Sequence, residues 1–381
     1  MLATRNYGTN ISDGCRTAFT NIDGKFKNGA LRDFLLKPWA HDTWGRMPDF
    51  GLSQEEATQL AVFLRSLKKG GPTKVLLGNV KKGEMLVLSL GCLNCHKNPI
   101  KEFYQAPSMS SIAKAGDKGC LSEFPKTAPN FYFTTEQRAA LKIFLGKGTQ
   151  SLKRRSLAEF AERQVIALNC RACHPMDGAQ NRLSHLPGLT SHLSVEVGDV
   201  DAEAAGRKKD PPDLTHVGEM LQTDWMARLF TGKLNYKPRP WMKMRMPAFP
   251  ARGEHLAHGL AQKHGMPSGV KQPTFEASQT SVGQKLVSTN GGFGCVACHA
   301  VGDKPALAPF EGQGLNFTYS RERLNHEFYM RWMLNPQRLN PFSIMPRYAD
   351  DEGQTALADA LAGDAHDQFN AIWQYLANGD L

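Results

Sequence analysis

The chain has 381 residues, 41% of them hydrophobic and 22% charged, with eight cysteines and a formal net charge of +10. Length fits two or three ordinary domains, and the apolar fraction is enough for real cores. No run of about 18 apolar residues occurs, which excludes a membrane span in these residues, and composition excludes collagen-like and disulfide-knot chains. The positive balance raises nucleic acid, acidic partners and anionic membranes as candidate partners.

In chain order, the first signal is Met47-Pro48-Asp49-Phe50 leading into Ser53 and Glu56. Ser53 with Glu three residues on is a capping box. Ala57, Leu60, Ala61, Leu64 and Leu67 then recur at helical spacing. A helix-like stretch follows at 83–88. Next comes Ala128-Pro129-Asn130-Phe131, running into a second capping box at Thr134 and Gln137. A further helix is expected over 157–166. Met246-Pro247-Ala248-Phe249 precedes a helix through Leu256 and Leu260, and another helix is expected over 282–287. Met345-Pro346-Arg347-Tyr348 leads into Asp351 and Gln354, where the spacing predicts a last helix.

Linker-like stretches separate these groups at 68–72, 147–151 and 265–269. The expected units are therefore 1–72, 73–150, 151–270 and 271–381. The first holds only a closing half. Either its front half has decayed, or the chain begins inside a longer protein. The second reading also accounts for the lack of an export signal at the start.

Six of the eight cysteines fall in three copies of one pattern: Cys92-Leu93-Asn94-Cys95-His96, Cys170-Arg171-Ala172-Cys173-His174 and Cys295-Val296-Ala297-Cys298-His299. C-x-x-C-H reads as a c-type heme attachment site. Two thiols three residues apart can form thioethers to the two vinyl groups of one porphyrin. The adjacent imidazole is then placed to ligate the iron from one side. Zinc would need a second Cys/His pair at suitable spacing, and thioredoxin-like chemistry would need a βαβ context. Neither is present in the pattern. Three covalent hemes c are expected, held by Cys92, Cys95, Cys170, Cys173, Cys295 and Cys298.

Together with the Met-Pro-x-Phe/Tyr segments and their closing helices, these runs resemble multiheme class I cytochrome c modules of planctomycete and verrucomicrobial type. The stretch Asp210-Pro211-Pro212-Asp213-Leu214-Thr215-His216-Val217-Gly218, followed by Trp225 and Arg245-Met246-Pro247, strengthens the likeness. It covers nearly the whole chain. The resemblance implies a mostly α fold of tandem domains with long irregular loops. It implies proximal iron ligands His96, His174 and His299, and distal ligands Met246 and Met345, each of which precedes a proline ahead of a closing helix. A thioether opposite an imidazole raises the potential relative to two histidines.

The unit at 73–150 departs from the pattern, because Ala128 stands where the methionine is expected. Three arrangements stay open: ligation by Met109, ligation by Met47, or a centre that is five-coordinate or ligated by water or another side chain. Cys15 and Cys120 are left over, as a disulfide or as free thiols. Arg245 is a candidate partner for a heme propionate, and His216 a candidate neighbour of a heme edge.

Each heme adds two propionates, so three would lower the charge from +10 to about +7 when ferric or about +4 when ferrous. The nucleic-acid reading then loses its basis, and acidic redox proteins are the expected partners. The expected function is single-electron transfer in a periplasmic or secreted bacterial chain. The alternative is a heme enzyme, peroxidase-like or nitrogen-oxide-reducing, with an open site at His96.

Overall fold

The computed structural model describes residues 22–27, 29–43, 45, 47–66, 79, 81–82, 84–85, 107–125, 128, 131–148, 150, 156–181, 211–240, 244–266, 270–308 and 313–377. Within them the fold is mostly α, with isolated bridges in place of a sheet. Among the described residues no helix is long and apolar enough to cross a membrane. The chain forms two compact units, 69–155 and the combination of 1–68 with 156–381.

The main helices of the larger unit begin with α1 (Ala30–Leu36) and α2 (Gln54–Ser66). Ser53 caps α2 as its sequence implies: the Glu56 amide donates to Ser53 Oγ at 3.1 Å, and Glu56 Oε2 accepts from the Ser53 amide at 2.8 Å. Leu31 and Leu35 bury against Ala57 and Ala61 in a small core. In the 69–155 unit, α3 (Met109–Lys114) is capped by Ser108 and α4 (Thr135–Gly146) by the Thr134–Gln137 box. Lys142 on α4 pairs with Asp117, and Leu121 and Leu145 are buried.

The remainder of the larger unit is a structural repeat. Its first copy runs α5 (Leu157–Ala167), α6 (Val217–Met220), α7 (Thr223–Thr231) and α8 (Gly253–Lys263). Its second runs α9 (Thr280–Val287), α10 (Ser320–Arg323), α11 (His326–Leu334) and α12 (Ala365–Ala377). In each copy the helix before the C-x-x-C-H run crosses the closing helix at a glycine. On α8, a Cβ at Gly259 would overlap the Leu157 carbonyl of α5. On α9, a Cβ at Gly283 would overlap the Ala371 carbonyl of α12. Close backbone approach of this kind tolerates no side chain. Around the crossings lie two cores. Trp225, Met226, Phe230, Leu256 and Leu260 fill the first; Leu286, Tyr329, Phe369, Ile372 and Trp373 fill the second. Each such side chain contributes about 1.5–3 kcal/mol on full burial.

The last helix begins later than the Asp351/Gln354 spacing predicts. The Gln354 amide donates to Asp350 Oδ1 at 2.7 Å, and the Thr355 amide to the Gly363 carbonyl at 2.9 Å. These bonds close a turn in place of a helical start, and α12 opens at Ala365.

The two copies meet along a self-complementary seam. Leu221 and Leu324 form an antiparallel bridge. The Gln222 amide donates to the Arg323 carbonyl and the Asn325 amide to the Met220 carbonyl, each at 2.9 Å. The Gln222 side chain donates to the Leu324 carbonyl at 2.9 Å, and the Asn325 side chain to the Leu221 carbonyl at 3.2 Å. Arg228 pairs with Glu322 at 2.5 Å and Arg331 with Glu219 at 2.6 Å. Each of these contacts is made twice, with equivalent residues exchanged, as across a two-fold axis.

Candidate functional site

Two of the three C-x-x-C-H runs lie among the described residues; Cys92, Cys95 and His96 lie outside them, as does Cys15. Each described run is a single 3₁₀ turn entered through a left-handed residue, Asn169 (φ 59) in one and Gly294 (φ 72) in the other. Gly takes this conformation freely and Asn takes it more cheaply than most residues. The His174 amide then donates to the Cys170 carbonyl at 3.0 Å, and the His299 amide to the Cys295 carbonyl at 3.0 Å. One turn thus carries both thiols and the imidazole.

Each imidazole is fixed by a backbone carbonyl from a distant loop. His174 Nδ1 lies 2.8 Å from the Pro212 oxygen, and His299 Nδ1 lies 2.8 Å from the Leu315 oxygen. A carbonyl only accepts, so Nδ1 carries the proton and the Nε2 lone pair is free. That is the tautomer a metal-ligating histidine needs, with its ring oriented through the other nitrogen. Burial pushes the pKa of both imidazoles below the usual range, which keeps them neutral; for His174, nearby Arg239 adds to the effect.

The supporting loops match residue for residue. The Leu214 amide donates to the Pro175 carbonyl and the Phe317 amide to the Ala300 carbonyl, both at 2.9 Å. Asp213 accepts from the Thr215 amide, as Asn316 does from the Thr318 amide. Thr215 Oγ1 in turn receives the Asp177 amide at 2.8 Å, and Thr318 Oγ1 the Gly302 amide at 3.0 Å. The second copy adds a cradle around its histidine. Phe317 stacks on the His299 ring with centroids 4.5 Å apart, and a Cβ at Gly314 would fall into that ring.

The four thiols are free. Burial raises the Cys170 thiol to about 11 and the Cys295 thiol to about 12, and pushes Cys173 up as well. Among the described residues no three His, Cys, Asp or Glu side chains gather as a metal-ion site. A zinc-type centre is not assembled by these turns. The donor set is compatible with heme c: two thiols on one turn, beside a neutral imidazole with Nε2 unspent.

The methionines differ. Met345 is half-buried and packs on the same core as Cys295. Its sulfur accepts from Trp332 Nε1 at 2.9 Å, and its carbonyl from Gln337 Nε2 at 2.7 Å. Met246 is 39% exposed, on a segment held by residues of the chain's first part. Asp49 and Ala248 exchange both backbone hydrogen bonds, at 3.0 and 2.7 Å. Arg252 Nη1 donates to the Gly45 carbonyl at 2.8 Å. Arg245 grips Glu56 with both amino groups, at 2.7 and 3.2 Å, so it is engaged with a carboxylate of the protein. The two Met-Pro-x-Phe segments, 47–50 and 246–249, therefore lie side by side. Met109 stands exposed on α3, and Ala128 is half-buried. His216 is bound to Glu219, its Nδ1 2.6 Å from Oε1.

The sequence reading missed Pro212 and Leu315 as imidazole anchors, together with Gly314 and Phe317. The Pro212 stretch stood out by resemblance, without an assigned role. Comparison with protein-family models, curated proteins and solved structures finds no match for this chain.

Proposed function

We propose that the protein is a multiheme c-type cytochrome that carries single electrons in an extracytoplasmic chain. The observation supporting this is the doubled imidazole geometry: His174 and His299, each directly after a pair of thiols, each donating Nδ1–H to a carbonyl 2.8 Å away. An Nδ1–H held by a carbonyl leaves Nε2 unprotonated and oriented, the tautomer that a metal-ligating histidine needs.

Heme c, when bound, supplies a one-electron iron couple. The chain's residues do the rest. Cys170 with Cys173, and Cys295 with Cys298, would tether the porphyrin as thioethers, with Cys92, Cys95 and His96 forming the third set. His174 and His299 would ligate on one side. Met345, already packed on the core beside Cys295, would ligate on the other. Met246 would do the same in the first copy, on a segment anchored by Arg245 to Glu56. Filling the sixth position excludes substrate, which suits a carrier more than an enzyme. Redox proteins with acidic docking faces are the partners such a basic chain would meet.

The test is production with export and heme-attachment machinery, followed by intact mass and a pyridine hemochrome assay. Three covalent hemes are expected. Chain that matures with none overturns the reading. Reduced protein is then exposed to carbon monoxide: an unchanged spectrum fits a carrier, and a shift in one third of the heme favours an open centre at His96.

A further inference from the structure

The seam between the repeats contains a chain of aromatic contacts that reaches both histidine turns. Cys170 packs on the buried cluster that includes Trp225. Trp225 Nε1 donates to Tyr236 Oη at 2.7 Å, and the Tyr236 hydroxyl donates to Glu322 of the other copy. The Tyr236 ring stacks on Tyr319 of that copy, with centroids 3.7 Å apart and planes 7° from parallel. Tyr319 shares one 3₁₀ turn with Phe317. Phe317 stacks on the His299 ring. From Trp225 to the His299 ring, every link is a covalent turn, a hydrogen bond or a ring stack, and Cys170 packs on the cluster to which Trp225 belongs.

The stack also breaks the symmetry of the seam. The residue equivalent to Tyr319 is His216, whose ring lies 6.2 Å from Phe328 and tilted to it. Tyr236 and Tyr319 make the closer and flatter contact.

We propose that the Tyr236–Tyr319 stack is the electron path between the centre at His174 and the centre at His299. The proposal rests on the heme reading. Electron tunnelling decays steeply with distance, and a packed route carries it better than a gap. One electron leaves ferrous iron at one centre and reduces ferric iron at the other. No bond forms or breaks and no proton moves. The tyrosines bridge without being oxidised, because a neutral phenol gives up an electron only at a potential far above that of a heme iron couple. The Tyr236 hydroxyl keeps its proton, donated to Glu322. Burial and that carboxylate push its pKa well above the usual phenol value.

The experiment uses the mature holoprotein. Pulse radiolysis delivers less than one electron per chain, and the concentration-independent redistribution phase is followed in the α-bands of the two centres. Tyr319→Leu is expected to slow this phase about tenfold, while Tyr319→Phe stays within about twofold of the parent. Gln222→Ala cuts a seam contact off the path and should leave the rate unchanged. Near-ultraviolet circular dichroism gives a heme-independent check: the coupled-ring signal should vanish in Tyr319→Leu and persist in Tyr319→Phe. An unchanged rate in Tyr319→Leu overturns the proposal. So does equal slowing in Gln222→Ala, which would assign the effect to seam rigidity. If Tyr319→Leu does not fold, Tyr236→Phe decides: it removes the link to Trp225, and an unslowed phase overturns the path. Parent protein lacking covalent heme defeats the functional reading itself, a result visible by mass before any rate is measured.

Discussion

The two repeats, 156–266 and 270–377, share one plan and finish it differently. Both fix an imidazole on a distant carbonyl at 2.8 Å. In the later repeat the histidine is boxed by Phe317 and Gly314, and Met345 packs on the same core. In the earlier one, Met246 rides on a surface segment tied to residues 45–56. The difference teaches that the C-x-x-C-H turn and the loop carbonyl that fixes its imidazole recur in both copies. The methionine segment depends on whatever packs against it.

On the proposed heme reading, the sharpest way to break the comparison is to remove the paired cysteines. Replacing Cys295 and Cys298 by serine should cost one heme of three by intact mass, and replacing Cys170 and Cys173 another. A repeat that keeps its heme after losing both cysteines would end the equivalence. Next come the crossings. Gly259→Ala and Gly283→Ala each force a Cβ onto a carbonyl. Overpacking of this kind costs about 1–3 kcal/mol, read as a lower denaturation midpoint.

A smaller effect separates the distal sides. Met345→Ala should abolish its share of the weak far-red methionine-to-iron band in the ferric spectrum. Arg245→Ala should leave the His299 centre untouched and weaken the band belonging to Met246, by freeing its segment from Glu56. Unchanged ferric spectra in Arg245→Ala would show that the Met246 segment needs no anchor.

The smallest effect is in pH. Arg245 beside Glu56 holds its carboxyl at about 2, against an ordinary 4.5. The carboxylate is the form favoured by the fold, so its contribution is full above about pH 4.5 and is lost as pH falls toward 2. Thermal midpoints of Glu56→Gln should therefore converge with those of the parent at acid pH and lie slightly below them near neutrality.

Much of this was legible in the residues. Capping boxes at Ser53/Glu56 and Thr134/Gln137 announced α2 and α4, because a cap is a local bargain between a side chain and nearby amides. The C-x-x-C-H turns were equally plain. Pro212 and Leu315 were not, because they act through carbonyls, which every residue has, across 38 and 16 positions of chain. The late start of α12 was hidden too, since Asp350 spends its carboxylate on a turn. The seam could not be read from spacing, for its symmetry relates two copies and is invisible within either.

The glycine crossings carry one more consequence. The first copy places its glycine on the closing helix, and the second places it on the entering helix. A chimera exchanging α5 with α9 would therefore gather two glycines at one crossing and leave none at the other. The first hybrid would carry a void and the second a collision. Though the copies share a plan, their helices are keyed to their own partners, and each half is protected against assembling with the wrong one.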